Sequence, residues 1–297
     1  MSPEKLKDRF NIPLTFLDPK GVFKNISPNS KYYPYIKMVY APVHIDDGGS
    51  GRTFALDIPK AEYIRFLRAI MRYKPVYITY PFPDLKVMEE YINYGIMDWM
   101  ISGWNDGFYG LKAKYPSLKI NRSIVGNAYN SEIDDRFDKT VISYFRLMDL
   151  SWIKQQDRNR VTIIPNQTCQ ANCRNLDNHL IWIVKTNVTL ADNRVTTCPE
   201  KTTNFFVPRE NIEMMIDYID DIKVLDRALN CFYYEQYLDY YIFDEMFDLN
   251  DPEISYNPQL RVIFRTNLNT LKNRVNSNMA AGNCKFDCSN CDRKCYK

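Results

Sequence analysis

No cysteine occurs before residue 169, although the chain carries eight. Generic core thiols would scatter along the sequence, so this skew points to one or two ligand sites built by the C-terminal half. Glycine is also scarce, with 10 residues in 297, while tyrosine (22) and phenylalanine (16) are abundant. The loops should therefore be comparatively stiff and the core rich in aromatic rings. No apolar stretch approaches the length of a membrane span, and the N-terminal MSPEKLKDRFNIPLTF lacks the continuous apolar run of a secretory signal. A soluble, cytoplasmic protein with no membrane partner is expected. Neither sign of charge dominates: a net charge of +3 is far from the strongly basic balance that by itself implies nucleic acid, and leaves room only for a local basic patch. There is no G-x-G-x-x-G turn after the first apolar run, no P-loop, no H-E-x-x-H and no Ser-His-Asp order, which lowers the dinucleotide, nucleotidase and hydrolase readings.

What is present suffices for one large α/β domain or two small ones, because 45% of residues are hydrophobic and 25% charged. Residues 1–35 are punctuated by Pro3, Pro13, Pro19, Pro28 and Pro34 and read as an irregular lead-in. Short apolar runs of the buried-strand type follow at 37–43, 76–82, 97–103, 118–124, 139–145, 161–166, 204–207 and 221–226. Helix-like segments alternate with them. The best formed is IPKAEYIRFLRAIMRY (58–73), with Ile64, Leu67 and Met71 at helical spacing. Eight strand-like runs, each followed by a helix-like run, predict an α/β fold of (β/α)8, TIM-like type over 36–245, with an open doubly wound sheet as the alternative. Residues 246–297 form an appendage with a cysteine-rich tail.

In such a barrel the loops after the strands make the functional face. That brings together His44 with the loop IDDGGSGR, Trp104 and Asn105, Asn127, Arg146, Asn166 with the cysteine loop after the sixth strand, and Arg227 after the eighth. The glycines of IDDGGSGR would let backbone amides approach an anion, although a plain barrel loop is the simpler reading. Arg146, Arg174 and Arg227 can hold an anionic substrate or nucleic-acid phosphates, or make ordinary salt bridges. The aromatic run 233–243 is expected to pack as core.

The cysteine loop IIPNQTCQANCRNLDNH spaces Asn166, Cys169, Cys173 and His179 as N-x2-C-x3-C-x5-H. In a reducing compartment clustered thiols favour metal over disulfides. Cys169 and Cys173 on one strand-end loop can chelate a single centre, with Cys198 as a third ligand. The fourth position is open to Cys231, a tail cysteine, His179, or a substrate or solvent molecule. The tail places Cys284, Cys288, Cys291 and Cys295 as C-x3-C-x2-C-x3-C. Too short to build a core, it can hold a fixed shape through a thiolate site, either zinc or an iron–sulfur cluster. CKFDCSNC has radical-SAM spacing, but that motif follows the first strand in those enzymes and no barrel remains downstream here.

The pieces PNQTCQANCRNLDNH, FFVPRENIEMMIDYIDDIKVLDR, a tyrosine-rich helix and a cysteine-bearing tail resemble the collagenase-like U-type peptidases and their radical-SAM-like TIM-barrel relatives. The resemblance covers residues 160–297; over 37–159 it rests on the order of elements. Several members of that family are iron–sulfur proteins needed for oxygen-independent hydroxylation of RNA bases or quinone precursors. The resemblance implies a [4Fe–4S] cluster at the barrel mouth, one or two in number, and redox or hydroxylation chemistry on a small molecule or RNA base. The spacing of Cys169, Cys173 and Cys198 departs from that of the hydroxylation members, and Asp226 stands where a glycine is usual. A metal-stabilised module that docks a protein or nucleic acid is the alternative, and a peptidase a more remote one. In the enzyme reading His44, His179 and Arg227 are catalytic candidates and Asn166 and Arg174 line the cofactor.

Overall fold

In a computed structural model of the chain, the residues described are 1–15, 19–47, 58–80, 82–123, 133–142, 150–167, 205–206, 209–224 and 231–245. Eight strands close into a barrel in which every ladder is parallel. They are β1 (Phe10–Pro13), β2 (Ile36–Pro42), β3 (Val76–Thr79), β4 (Asp98–Ile101), β5 (Lys119–Arg122), β6 (Thr140–Val141), β7 (Val161–Ile163) and β10 (Asp221–Lys223). The remaining two, β8 (Asn166–Gln167) and β9 (Phe205–Phe206), pair antiparallel as a separate two-stranded sheet.

Two expectations are corrected. The supposed lead-in contains the barrel's first strand: β1 pairs with β2 on one side and β10 on the other and thereby closes the ring. The run 204–207, expected as a barrel strand, instead contributes β9 to the small sheet. The count of eight survives, but each predicted strand up to 161–166 moves one place along the barrel.

Side-chain alternation sorts the strands' two faces. Phe10, Ile12, Val39, Ala41, Val76, Ile78, Trp99, Ile101, Ile120, Val161, Ile163, Ile222 and Val224 belong to the large outer core. Helices cover it: α1 (Pro19–Asn25), α2 (Lys60–Met71), α3 (Leu85–Asn93), α4 (Gly107–Lys114), α5 (Leu150–Ile153), α6 (Arg209–Met215) and α7 (Cys231–Leu238). Helix α2 buries Tyr63, Ile64, Leu67 and Ile70, one stripe at helical spacing. Asp84 caps α3 by accepting from the Lys86 and Val87 amides at 2.8 and 3.2 Å. The helix ends in a Schellman turn, with Gly95 at φ +95° and the Ile96 amide reaching Tyr91 O at 3.2 Å.

The aromatic run packs as core at Tyr234, Tyr237, Tyr240 and Tyr241. Asn25 on α1 donates to the Tyr234 hydroxyl at 2.8 Å, and Tyr32 to Asp239 at 2.9 Å. Arg209 at the head of α6 locks this segment further, donating to Tyr241 O and Met1 O at 2.9 and 2.8 Å. Among the described residues, no helix is long and apolar enough to cross a membrane.

Candidate functional site inside the barrel

A second, smaller cluster lies inside the barrel: Tyr40, Tyr77, Met100, Val141 and Ile164, with Met38 against it. Tyr40, Tyr77 and Met100 alternate in their strands with residues of the outer core, and Val141 and Ile164 each adjoin one, Ile142 and Ile163, which is why the two clusters separate. Polar side chains share this interior and divide by height.

At the end where the strands begin, charges are paired with one another. Lys37 lies 2.6 Å from both Asp220 and Asp221, and Lys139 lies 2.5 and 2.6 Å from the same two carboxylates. Arg9 adds a hydrogen bond to Ile219 O at 2.7 Å and stands 3.6 Å from Asp220. Burial lowers the proton affinity of Lys139, but the two carboxylates outweigh it and hold the ammonium well above the ordinary lysine range. Asp220 would be raised by burial, yet its bonds to Lys139 and Lys37 keep it below the usual carboxylate range. Asp98, the first residue of β4, behaves differently: burial pushes its carboxyl up to about 7. The charge of Lys139 and the Asn121 amide, which donates to Asp98 at 2.5 Å, oppose that rise without cancelling it.

One layer higher the partners change character. Lys223, the last residue of β10, lies inside with 6% exposure and points its amine at Met100 Sδ, 3.0 Å away. The amine also stands 4.5 Å from the Tyr40 ring centroid and 5.7 Å from that of Tyr77. Tyr40 and Tyr77 stack at 5.6 Å, and the Tyr40 hydroxyl donates to Val224 O at 2.6 Å. Strand register places Asn11 beside Lys223, and Thr79 and Asn121 on either side of Met100. Asn11 Oδ1, Asn121 Oδ1 and the Oγ of Ser102, just beyond β4, are buried without a hydrogen-bond partner. Buried polar atoms are normally satisfied, so three orphans in one interior point to a polar guest, water at the least.

The mouth itself is described at His44. Its backbone amide donates to the Tyr91 hydroxyl at 3.0 Å, and that hydroxyl donates to Asp47 Oδ2, also at 3.0 Å. The ring's Nε2 faces Ile58 O at 3.0 Å and its Nδ1 faces the Asp46 amide at 3.3 Å, which assigns the Nε2–H tautomer. Lys60 bridges Asp47 and Glu90, each at 2.6 Å. Burial raises the Tyr91 hydroxyl far above the ordinary phenol range, so it stays a protonated connector. With both ring nitrogens engaged, His44 anchors the 3-10 turn Ile45–Asp47, the start of the IDDGGSGR loop.

Strands β7 and β10 are parallel neighbours, with Ile163 opposite Ile222. The chain therefore leaves both from the same end, toward the segment carrying Cys169 and Cys173 in one case and Arg227 in the other. Strand β2, which leads to His44, is separated from β10 by β1 alone. Asn166 lies on β8 and Cys231 opens α7. Cys169, Cys173, Cys198, Cys284, Cys288, Cys291, Cys295, His179, Arg174, Arg227, Arg146 and Asn127 lie outside the described residues. Among the described residues, no group of three or more His, Cys, Asp or Glu side chains could hold a metal.

Lys223 escaped the reading of the sequence. The signal was there, since a lysine between Ile222 and Val224 in a barrel strand must face the interior. No family model, no curated protein and no solved structure matches the chain.

Proposed function

We propose that this protein is a cytoplasmic barrel enzyme with a thiolate-held iron–sulfur centre at the mouth, acting in redox or oxygen-independent hydroxylation chemistry on a small molecule or RNA base. In this reading the closed parallel barrel is of full (β/α)8, TIM-like form and carries a cysteine-rich tail. The observation that carries it is the adjacency of β7 and β10, whose following segments contain the C-x3-C pair and Arg227 and leave the barrel at one end. The resemblance to the collagenase-like U-type peptidase family supports the choice of cluster.

The donor set suits such a centre. Eight thiols in the C-terminal half are soft ligands that favour iron–sulfur or zinc over hard cations. Cys169, Cys173 and Cys198 would hold the mouth centre, with Cys231 or a tail cysteine as a further ligand. Cys284, Cys288, Cys291 and Cys295 would hold a second cluster or zinc. When bound, an iron–sulfur centre supplies one-electron transfer. The chain's own residues do the rest: Asn166 and Arg174 line the centre, and Arg227 orients an anionic substrate with its planar fork. His179 serves proton transfer near neutral pH, and His44 frames the mouth through the Ile45–Asp47 turn.

Anaerobic purification followed by an absorption spectrum and iron and sulfide analysis tests the reading. A broad band at about 400 nm is expected from thiolate-ligated iron, weakened by one cluster's share when Cys169 or Cys173 is replaced by Ala, and lost altogether where the tail holds zinc. A colourless protein containing only zinc would instead favour the metal-stabilised docking module.

A further inference from the structure

We propose that the outer face of helices α1 and α2 binds the phosphate backbone of a nucleic-acid strand. The proposal rests on the described surface and not on the metal centre above.

Helix packing sets up the face. Strands β1 and β2 are neighbours, and the helices that follow them meet where the Phe23 ring lies 5.3 Å from Phe66 and 6.3 Å from Tyr73. With Val22 and Asn25 buried on α1, Lys20 and Lys24 face outward, about one turn apart. On α2 the buried stripe Tyr63, Ile64, Leu67 and Ile70 turns Arg65, Arg68 and the C-cap Arg72 outward, spread over about 10 Å of axis. Tyr73, 44% exposed, stands at the seam between the helices.

The charges of this face are not spent on the protein. The two helices contain one acid, Glu62, which lies 3.4 Å from Arg65. Among the described residues, no ion pair or side-chain hydrogen bond engages Lys20, Lys24, Arg68 or Arg72. Other lysines are matched: Lys60 to Asp47 and Glu90, Lys112 to Asp138, Lys114 to Glu89. The helix dipole accounts for Lys24, Arg68 and Arg72 at helix ends, but Lys20 in a first turn opposes it and Arg65 gains little from it. Like charges at this spacing also weaken a helix, so the fold does not explain the stripe.

Two features choose the partner. A nucleic acid presents phosphates in a regular row, which guanidinium forks and ammonium groups meet without reading sequence. An exposed ring beside the row gives a base a surface to stack on, which an acidic peptide or a lipid headgroup would leave unused.

Fluorescence anisotropy of the full chain with labelled 20-nucleotide oligo(U) and oligo(dT) tests the proposal. Both should bind, and the tighter of the two identifies the natural source of the phosphates. About four engaged phosphates give a slope of about −3 for log affinity against log salt. Arg68→Glu with Arg72→Glu should weaken binding by roughly tenfold or more and flatten that slope by about 1.4. Tyr73→Ala should weaken it about fivefold or more. Lys154→Glu, at an exposed lysine just after α5 and across the ring of strands, should change it by no more than about twofold. All these positions are exposed, and circular dichroism checks that each variant is folded. No binding at low salt, equal losses from Arg68→Glu and Lys154→Glu, or tighter binding to polyglutamate or phosphatidylserine vesicles than to either oligonucleotide would overturn the proposal.

Discussion

Toward the start of its strands, the barrel pairs buried charges with each other; toward their ends, a buried amine faces rings and a thioether, and neighbouring amide and hydroxyl oxygens lack partners. The first arrangement is what a fold needs to tolerate ions away from water. The second is inefficient as structure, since each unsatisfied buried polar atom costs about 1–3 kcal/mol. Polarity that does not serve the fold is where a ligand is to be sought, and the contrast separates floor from site without reference to any relative.

Breaking the floor should have the largest effect. Asp221→Asn leaves Lys37 and Lys139 sharing one fewer carboxylate, and breaking a buried pair of this kind costs about 3–5 kcal/mol. Urea unfolding should show a lower midpoint with an unchanged slope. A variant as stable as the parent would mean that the ionic floor contributes nothing.

Asp98 sharpens the comparison through pH. Its carboxyl titrates at about 7 when folded and near 4 when unfolded, so the folded state binds the proton more tightly. Its contribution is therefore fully present below about pH 4 and is lost as pH rises through about 7. Asp98→Asn, which keeps an acceptor for the Asn121 amide, should match the parent near pH 4. At pH 8 it should be more stable, by on the order of 2–4 kcal/mol. Equal differences at both pH values would contradict the raised proton affinity.

How much of this was legible in the sequence depends on element length and on what each side chain faces. The runs around Val39, Ile78 and Trp99 announced strands because both barrel faces there carry bulky groups. Strand β1 did not, because it has four residues, turns Asn11 inward and ends on Pro13 within a proline-rich stretch. Phe205 and Phe206 misled for the opposite reason: an apolar pair looks the same in a barrel as in a short antiparallel ladder. The helix at Gly107–Lys114 is expected from the alternation alone, because its two glycines and weak apolar stripe, Phe108 and Leu111, give little period to read. His44 was conspicuous as one of two histidines, whereas its commitment to Ile58 O and the Asp46 amide is visible only in three dimensions. The thiol pattern, by contrast, is a matter of spacing and needs no fold to be noticed.

The most direct measurement is anomalous scattering at the iron edge from crystals of anaerobically purified protein. Iron peaks are expected beyond the ends of β7 and β10, on the Lys223 side of the barrel interior. Iron at the Lys37–Asp221 floor, iron confined to the tail away from the mouth, or no iron at all would contradict a cysteine-ligated centre at the mouth.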